Sequence, residues 1–554
     1  MRTKAKTQKT IAIIPARGGS KGIPRKNLRP LNDKPIIYYS IKACLNAELV
    51  DEVLVTTEDD EIALIASRFG ASIHFRPPEL SDDISTLDPV ILEALVSHEK
   101  SQKELYCQVL TVQPTSPLLT SQDIDSAIKY FLECNNINSL VSVVDDRHLT
   151  WGRDGNNRPV ALYAERVNRQ LLPKVYKETG AMVLCTREQL MSGCRIGQHV
   201  ELFEMENDRS FDIDSVTDLM LCESILKQKV IVFIVTGNKK IGLGHAFRAL
   251  LLANQFVRHR IYFICDETSE AAEKYITEHN YPVNVISSEL LFDELTKLKP
   301  DLIINDILDT ELSFIEQQKA LGAKVVNFED MGAGAMAADL VFNALYPQKM
   351  PSDHIYYGED YFCLRDEFLY TEISEFSETV NNILISFGGV DPANLTLRVL
   401  SLINQLAVER SVEISVIIGP GYSNLESLLN WKEEHDSNIQ IVHNTKQISN
   451  LMQKSDLVFT SGGRTVYEIA SMCKPMCVIC QNTRELSHTF ASPENGVVNL
   501  GLHSEITDEE IRSTFIHLVD KTELRKTMVE KLKKHTFIEG KKRVTRMIES
   551  LVQG

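Results

Sequence analysis

Short apolar runs alternate with longer amphipathic segments along the first part of the chain. Strands are predicted for IAIIPA, EVLVTT and QVLTVQPT, because each run is short, apolar and rich in β-branched residues. Between these runs, Ile36–Ala47 and Asp59–Phe69 have the periodicity of helices with one apolar face. Such alternation predicts an α/β protein built from βαβ units around a mostly parallel sheet.

The same cycle restarts twice further along the chain. VIVFIVTG, which begins at Val230, leads into a glycine-rich turn and the helical stretch His245–Phe256. ILISFGG begins at Asn382 and follows the polar, acidic stretch Glu372–Asn381, which has the composition of a linker. We therefore predict a first domain at 1–228 and a second at 229–554, the latter with lobes at about 229–371 and 382–554 that face a cleft.

The composition narrows the classes of ligand. The chain has 554 residues, of which 43% are hydrophobic and 24% charged, as in well-packed globular proteins. Its formal net charge of -17 opposes binding to nucleic acid or to anionic lipid, so an anionic ligand needs a local basic pocket. The basic start and the short apolar run Ile11–Ala16 are too short for a signal peptide or a membrane span, which makes the cytoplasm the expected compartment.

The 11 cysteines are scattered. Their closest group is Cys473, Cys477 and Cys480, which lies in an apolar, strand-like stretch with no nearby histidine pair. We interpret these cysteines as buried reduced thiols, with a metal site as the less favoured alternative.

A glycine-rich, basic turn directly follows the first predicted strand. Glycines at 18, 19 and 22 let the backbone fold closely around phosphates, and Arg17, Lys21 and Lys26 supply positive charge. The turn is therefore predicted to hold an anion. The alternative is an ordinary basic surface loop.

Five motifs occur in order between Thr10 and Lys227: RGGSKGIPRKN, RPPELSDD, QPTSP, NRQLLPKVYKETGA and FDIDSVTD. Together they resemble the cytidylyltransferases that make CMP-sialic acid and related nonulosonates. The resemblance implies a single-domain, Rossmann-like and GT-A-like nucleotidyltransferase that uses CTP and Mg²⁺. Such an enzyme joins the anomeric hydroxyl of an acidic nine-carbon sugar to the α-phosphate and releases pyrophosphate. Related enzymes are commonly homodimers, so a homodimer is expected here.

An acidic pair is the candidate metal site. Asp212 and Asp214 are separated by one residue, so on an extended segment both carboxylates point to one side. Two hard oxygen donors suit Mg²⁺. The resemblance assigns both aspartates to metal binding and to catalysis, and it assigns Lys21 of the glycine turn to catalysis. Asp218, at the start of the next predicted helix, is a weaker metal candidate. The alternative is that Asp212 or Asp214 only caps a helix.

The resemblance also implies contacts with the nucleotide and the sugar. Arg169 suits a bidentate pair with a sugar carboxylate, although ordinary turn and surface chemistry is the alternative for the sugar-side residues. The family usually writes QPTSPLR, whereas Leu119 stands here in place of that arginine, which leaves sugar recognition and subunit contacts open. The nucleotide-binding residues are expected to be Arg17, Gly18, Gly19, Ser20, Lys21, Lys26, Asn27, Arg76 and Asp83, and the sugar-binding residues Gln113, Ser116 and Arg169.

A histidine marks the glycine turn of the second half. His245 in IGLGHAFR falls at the predicted start of a helix, where the helix dipole favours a neutral imidazole that can act as a general base. A lone histidine is more often a structural residue. The catalytic interpretation gains weight from three distant segments, SFGGVDPANLT, SDLVFTSGGRTVYEIA and CQNTRELSHTF.

These segments resemble the two-lobed GT-B superfamily, and specifically the UDP-sugar hydrolases of pseudaminic acid synthesis and their spore-coat polysaccharide relatives. The resemblance runs from about Val230 onward and implies that water displaces UDP from the anomeric carbon of a UDP-amino sugar, with His245 as the base. The expected contacts are Gly462, Gly463 and Thr465 with the diphosphate, Glu468 with the ribose, Gly388, Gly389 and Asn394 along the cleft, and Asn482, Glu485 and His488 with the sugar.

Two points limit the second prediction. For Asn482, Glu485 and His488 the alternative is a polar loop without substrate contact. Related hydrolases usually carry an acidic residue where Gly237 and Asn238 stand, so a glycosyltransferase or a non-catalytic nucleotide-sugar-binding module remains an alternative. The favoured hypothesis is a bifunctional enzyme of nonulosonic acid biosynthesis, with a separate synthase acting between its two steps.

Overall fold

The computed structural model describes residues 8–19, 22–81, 85–238, 241–347, 352–435, 439–445 and 447–553. The chain forms two compact units, Met1–Gln228 and Lys229–Gly554, called unit 1 and unit 2 below.

Unit 1 is built on a mixed β-sheet. The strands that the structure describes in this unit are β1 (Thr10–Pro15), β2 (Pro30–Leu31), β3 (Lys34–Pro35), β4 (Glu52–Thr57), β5 (Ser72–Phe75), β6 (Gln108–Val112), β7 (Ser139–Asp145), β8 (Trp151–Arg153), β9 (Pro159–Ala161), β10 (Tyr176–Thr186) and β11 (Val200–Glu204). The main sheet has the order β11-β7-β10-β6-β1-β4-β5, while β2 pairs with β3 and β8 with β9. The helices are α1 (Ile36–Leu45), α2 (Asp60–Phe69), α3 (Leu87–Gln102), α4 (Ser121–Glu133), α5 (Arg187–Met191) and α6 (Val216–Leu226).

The predicted βαβ alternation is confirmed in unit 1. Strand β1 pairs in parallel with both β4 and β6, and β10 is the exception, since it runs antiparallel to β6 and β7. Side chains alternate across β1: Ala12 and Ile14 pack into the core on the side of α1 and α4, whereas Ile11 and Ile13 pack on the side of α3. Both faces of the central strand are therefore buried, as its continuous apolar run requires.

Local sequence signals set the helix ends. Asp59 caps α2 by accepting hydrogen bonds from the backbone of Glu61 and Ile62, and the helix stops at Gly70, whose φ is 105°. Ser215 and Asp218 form a capping box at the start of α6. This box fixes the direction in which the chain leaves the Asp212–Asp214 segment.

Unit 2 has two lobes, each with a parallel sheet. The first lobe has β12 (Val230–Val235), β13 (Arg260–Cys265), β14 (Val283–Val285), β15 (Leu302–Asp306), β16 (Lys324–Phe328), β17 (Leu340–Asn343) and β18 (Ile355–Tyr357), with α7 (Gly244–Ala253), α8 (Glu270–Glu278), α9 (Leu291–Leu298), α10 (Leu312–Ala320) and α11 (Asp366–Tyr370). The second lobe has β19 (Asn382–Ser386), β20 (Glu413–Ile418), β21 (Ile439–His443), β22 (Leu457–Thr460), β23 (Met476–Cys480) and β24 (Val498–Leu502), with α12 (Leu395–Glu409), α13 (Leu425–His435), α14 (Ile448–Lys454), α15 (Thr465–Ser471), α16 (Asp508–Asp520), α17 (Thr522–Leu532) and α18 (Gly540–Gln553).

The two sheets share one strand order. It is β14-β13-β12-β15-β16-β17-β18 in the first lobe and β21-β20-β19-β22-β23-β24 in the second. In both, the first strand lies inside the sheet and the order reverses beside it, which is the doubly wound arrangement whose carboxyl edge binds ligands. The predicted two-lobed, GT-B-like architecture is confirmed, and Glu372–Asn381 between the lobes contains neither helix nor strand, as a linker should.

One helix departs from the predicted lobe limits. Helix α18 lies in the segment predicted to belong entirely to the second lobe, at 382–554. Its Val544 and Ile548 instead pack into the core of the first lobe, with Phe263 and Phe328 among their neighbours. Burial of this apolar face draws the end of the chain back across unit 2, a long-range effect that local sequence does not encode.

Candidate functional site

In unit 1 the glycine turn is tied to the end of β4. The Gly18 backbone N–H donates to Glu58 Oε1 at 2.7 Å, and a Cβ at Gly18 would collide with the Asp59 carboxylate. The Arg76 guanidinium is buried beside them, with Nη1 3.7 Å from Glu58 Oε2 and Nη2 donating to the Thr56 carbonyl at 2.9 Å. The turn therefore has a fixed shape and a buried cation behind it.

The glycine turn and the acidic segment meet. A Cβ at Gly22 would lie 2.6 Å from the Asp214 carbonyl oxygen, so only glycine permits this approach. The Lys26 ammonium donates to the Ile213 carbonyl at 2.7 Å and lies 3.2 Å from Asp214 Oδ1. Two motifs that are almost two hundred positions apart thus form one polar site.

Asp212 lies in the buried part of this site. Its Oδ1 is buried without a hydrogen-bond partner, and so is the hydroxyl of Ser116, another predicted site residue. A Cβ at Gly180, where φ is 71°, would lie 3.3 Å from Asp212 Oδ2 and 3.6 Å from the Gln113 Nε2. Burial raises the pKa of Asp212, and the neighbouring Asp214 raises it further. A buried carboxylate oxygen without a partner is a suitable ligand for a hard cation such as Mg²⁺.

Within the described part of the chain, no group of three or more His, Cys, Asp or Glu side chains could hold a metal ion. Asp212 and Asp214 are therefore two ligands at most, and a cation here would need further oxygen donors. Asp218 is engaged otherwise, because its Oδ2 accepts hydrogen bonds from the Ser215 backbone N–H at 2.7 Å and from its hydroxyl at 2.8 Å. Asp218 caps α6, and the neighbouring Asp212 and Asp214 are not the capping residues.

The other predicted residues of unit 1 differ in their placement. Asn27 is buried and donates to the Arg17 carbonyl at 2.9 Å, so it shapes the glycine turn from inside. Arg169 is exposed on a short 3-10 helix and donates to the Arg147 carbonyl at 3.0 Å. Leu119 is buried in the main core of unit 1. Ser20, Lys21 and Asp83 lie outside the described residues.

In unit 2, His245 is the second residue of α7 and faces a buried carboxylate. Its Nδ1 lies 2.7 Å from Asp306 Oδ1, and Asp306 is the last residue of the adjacent strand β15. Burial alone would raise the pKa of Asp306, but Arg248 and His245 together lower it below its ordinary value. An ionised carboxylate can only accept a hydrogen bond, so this contact favours the ring hydrogen on Nδ1, which leaves the lone pair of an uncharged imidazole on Nε2.

The histidine turn lies against two turns of the second lobe. A Cβ at Gly244 would lie 3.2 Å from Arg464 Cδ, and one at Gly242 would lie 3.6 Å from Val390 Cγ2. Arg464 belongs to the GGRT turn, and Val390 follows the SFGG turn. The three predicted glycine-rich segments of unit 2 therefore meet at the cleft between the lobes.

The GGRT turn is already bound by a carboxylate. Glu485 Oε2 accepts the backbone N–H of Gly462 at 3.1 Å and of Gln481 at 2.8 Å. Burial raises the pKa of Glu485 to about 6. Nearby, Asn482 Oδ1 accepts the Glu485 N–H at 3.1 Å, which starts the 3-10 helix at Glu485–Ser487. Glu485 and Asn482 thus shape this loop, and their predicted sugar contacts stay predictions.

His488 is a buried neutral imidazole. Its Nδ1 accepts the Phe490 backbone N–H at 3.2 Å, while its Nε2 is buried without a partner. Burial lowers the pKa of His488 to about 4. The ring is therefore uncharged at neutral pH, with its hydrogen on Nε2.

The remaining predicted residues of the second lobe are held by their neighbours. Thr465 is the first residue of α15, and Glu468, one turn later, accepts hydrogen bonds from Arg365 at 2.8 and 3.0 Å. Asn394 precedes α12 and accepts the Tyr422 hydroxyl at 2.6 Å. Gly388 has a φ of 84°, so the SFGG turn needs glycine there. A Cβ at Gly389 would meet nothing within 4 Å, and one at Gly463 would lie 3.9 Å from Ser461 Oγ, so both positions leave room beside the backbone.

The packing around Gly237 leaves little room for a side chain at this position. A Cβ at Gly237 would lie 2.9 Å from the Ala272 Cβ and 3.2 Å from the Gly242 carbonyl. An acidic side chain does not fit there without movement of α8. Asn238 pairs with Gly242 across the same turn in an isolated antiparallel bridge.

Sequence reasoning missed the partners of His245. Arg248 donates to both oxygens of Asp306, and its third nitrogen donates to Glu329. Asp306 ends β15, a strand that is not among those predicted from the sequence, and nothing local indicates that this strand pairs with β12. Of the three grouped cysteines, Cys477 and Cys480 are buried free thiols on β23, as predicted, whereas the free thiol Cys473 is only half-buried, so the prediction of burial is wrong there.

No helix in the described ranges is both long and apolar enough to cross a bilayer.

Unit 1 matches a known protein family. The family described as cytidylyltransferase matches residues 11–241. The chain is 32% identical over 227 residues to pseudaminic acid cytidylyltransferase of Campylobacter jejuni, an alignment that covers 40% of this chain and 97% of the relative. It is 30% identical over 273 residues to an uncharacterized protein of Methanocaldococcus jannaschii, covering 46% of this chain and only 56% of that protein.

Among solved structures, MurG of Acinetobacter baumannii aligns with 58% of this chain and 99% of its own, at 17% identity and a TM-score of 0.44. The family assignment depends on unit 1 alone. Because nearly the full length of the Campylobacter jejuni relative is matched there, the chain belongs to the cytidylyltransferase family.

Proposed function

We propose that unit 1 transfers CMP from CTP to the anomeric hydroxyl of a nonulosonic acid. The observation that carries the proposal is the meeting of the glycine turn with the acidic segment, through Gly22, Lys26 and Asp214. The family membership and the printed name of the Campylobacter jejuni relative, a pseudaminic acid cytidylyltransferase, support this substrate class.

In the proposed reaction, the sugar hydroxyl oxygen bonds to the α-phosphorus while the bond from that phosphorus to the β-phosphate oxygen breaks. Pyrophosphate leaves, and the hydroxyl proton passes to solvent or to a nearby base. Backbone N–H groups of the glycine turn, Arg17 and Lys26 bind the triphosphate in this proposal, and the family resemblance adds Lys21 as a catalytic cation. Gln113, Ser116 and Arg169 bind the sugar in this proposal.

Asp212 and Asp214 would hold Mg²⁺ together with phosphate oxygens of the nucleotide. The cation supplies charge neutralisation and lowers the pKa of the sugar hydroxyl. Chelation of Mg²⁺ should therefore stop the release of pyrophosphate, and added Mg²⁺ should restore it. We further propose a homodimer, which sedimentation of the full chain tests.

The test of the first activity is incubation of the full chain with CTP, Mg²⁺ and a panel of nonulosonic acids, with products identified by mass spectrometry. Asp212→Asn should abolish pyrophosphate release. Asp33→Asn is the matched control, because Asp33 is exposed in a turn with φ 63°, a conformation that asparagine tolerates well. Unchanged turnover in Asp212→Asn would refute the assignment of the site.

We propose a second activity for unit 2, the hydrolysis of a UDP-amino sugar with release of UDP. The carrying observation is the contact between His245 Nδ1 and Asp306 Oδ1 at 2.7 Å, in a turn that lies against the GGRT turn. His245 Nε2 takes a proton from water, the water oxygen bonds to the anomeric carbon, and the bond from that carbon to the UDP oxygen breaks.

UDP release from a UDP-2,4-diamino sugar by the full chain tests this second activity. His245→Gln should abolish the release, whereas His279→Gln, at an exposed histidine of α8's end, should not. Release that requires an added acceptor sugar would instead identify a glycosyltransferase. Tight binding without turnover would indicate a regulatory module.

A further inference from the structure

One buried cation links His245 to the interior of unit 2. Arg248 lies three residues after His245 on α7, and therefore on the same face of the helix. Only 3% of its surface is exposed, although arginine rarely occupies such a position without partners.

Arg248 donates two hydrogen bonds to Asp306. Its Nε donates to Asp306 Oδ2 at 2.8 Å, and its Nη2 donates to Oδ1 at 2.6 Å. The same Oδ1 lies 2.7 Å from His245 Nδ1. One carboxylate oxygen is thus shared between the arginine and the histidine, and the second is held by the arginine alone.

A second carboxylate compensates the charge of Arg248. Its Nη1 donates to Glu329 Oε1 at 3.0 Å, and Glu329 Oε2 accepts the Leu345 backbone N–H at 3.3 Å. Arg464 and the Cys363 thiol are the further ionisable groups around Arg248. The cluster is therefore a row of contacts from Asp306 through Arg248 to Glu329, with His245 at its cleft end. Burial raises the pKa of Glu329, and Arg248 counteracts this effect.

This row decides which nitrogen of His245 carries the hydrogen. Asp306 is fully buried, so without a cation its carboxyl would favour the neutral, protonated form. A protonated carboxyl would donate to His245 Nδ1, and the ring hydrogen would move to Nε2. The imidazole would then present N–H to the cleft and could not accept a proton there.

We propose that Arg248 is a positioning residue for His245: it keeps Asp306 ionised and oriented, which fixes the hydrogen of His245 on Nδ1 and leaves Nε2 free to accept a proton. The catalytic consequence rests on the proposed function of unit 2. The position of the ring hydrogen does not, because it is measurable without any substrate.

The test compares the full-length parent with Arg248→Met and Arg248→Lys, using ring-¹⁵N-labelled histidine and NMR, with His245→Gln to assign the signals. The parent should carry the hydrogen on Nδ1, and Arg248→Met should carry it on Nε2. Arg248→Lys keeps the positive charge but cannot form the same pair of hydrogen bonds with Asp306. It should give a mixture of the forms with the hydrogen on Nδ1 and on Nε2. A folded Arg248→Met protein that keeps the hydrogen on Nδ1 would overturn the proposal.

Arg248→Met removes the arginine that pairs with two buried carboxyl groups, so a second variant guards against loss of folding. Arg248→Met/Glu329→Gln removes the charge of Glu329 together with that of Arg248, and it should show the same shift of the ring hydrogen to Nε2. Retention of the Nδ1 form in this double variant would equally contradict the proposal.

Kinetic measurements distinguish failure of the proposed UDP-sugar hydrolysis from failure of the proposed role of Arg248. In a parent that releases UDP, Arg248→Met should lower kcat roughly 100-fold with little change in KM, because general-base catalysis is lost while binding persists. Arg248→Lys, which keeps part of the Nδ1 form, should lower kcat less. If the parent releases no UDP but the ring hydrogen moves as expected, the proposed hydrolysis fails and the role of Arg248 stands. If the parent releases UDP and the ring hydrogen does not move, the role of Arg248 fails alone.

Discussion

The Lys26 ammonium and the Asp214 carboxylate are 3.2 Å apart, although they lie 188 positions apart in sequence. The ammonium also donates to the Ile213 carbonyl at 2.7 Å, so it joins the loop that follows β1 to the segment that precedes α6. One cation therefore both connects the two parts of the site and adds positive charge where a triphosphate is proposed to bind.

Removal of this cation should impair both roles. Lys26→Met is expected to slow pyrophosphate release roughly 100-fold, as loss of one preorganised charged donor does in other enzymes. Lys34→Met is the matched control, because Lys34 is exposed on β3. Steady-state rates at saturating CTP measure the effect, and equal rates in the two variants would contradict the placement of Lys26 in the site.

The close approach at Gly22 should appear in stability. Gly22→Ala places a methyl group 2.6 Å from the Asp214 carbonyl oxygen, and relief of that contact is expected to cost about 1–3 kcal/mol. Gly19→Ala should leave the melting temperature nearly unchanged, since a Cβ there meets nothing within 4 Å. Thermal unfolding followed by circular dichroism distinguishes them, and equal melting temperatures would show that the turn and the acidic segment do not touch.

Replacement by aspartate should destabilise the protein at Gly237 but not at the adjacent Asn238. Gly237→Asp is expected to lower stability by about 1–3 kcal/mol, because its Cβ would lie 2.9 Å from the Ala272 Cβ. Asn238→Asp should be tolerated, since a carboxylate oxygen can still accept the Ile241 N–H that Asn238 Oδ1 accepts at 3.3 Å. Melting temperatures of both variants at neutral pH provide the measurement. The steric argument is wrong if Gly237→Asp melts at or above the temperature of Asn238→Asp.

Glu485 should make the stability of unit 2 depend on pH. Burial raises its pKa from 4.5 to about 6, so the folded state binds this proton more tightly than the unfolded state. Its contribution to stability is therefore fully present below pH 4.5 and is lost as the pH rises to about 6, which amounts to about 2 kcal/mol.

Glu485→Gln removes this titration, while its amide oxygen can still accept the two backbone N–H groups. The melting temperature of the variant minus that of the parent should therefore rise between pH 4.5 and 7. Glu494→Gln, at an exposed glutamate, should give a difference that does not change with pH. A constant difference for Glu485→Gln would mean that its carboxyl is not buried.

Patterns within a few residues were enough to predict the strands and several helices. The runs around Ile13, Val55 and Phe233 form central strands, because a continuous apolar run fits only a strand covered on both faces. His245 falls at the start of α7, where the glycine turn indicated a helix start. The site of unit 1 was predictable because its two motifs belong to one recognised order of motifs.

Contacts between distant segments were not predictable in this way. Arg248 meets Asp306 and Glu329 across 58 and 81 positions, and no spacing rule joins them. Likewise, Arg365 holds Glu468 from another part of unit 2, which periodicity could not reveal. The strand order and the packing of the two lobes decide these pairs, so they follow only from the tertiary structure.

The return of α18 to the first lobe makes that lobe discontinuous in sequence. Strands β12 to β18 emerge from the ribosome early, but their core stays open until Val544 and Ile548 have been synthesised, some two hundred residues later. Until then the apolar surface that Val544 and Ile548 cover stays exposed, which is a condition that favours aggregation. A protein cut just before Gly540 should accordingly lose the first lobe, even though every strand of that lobe is present.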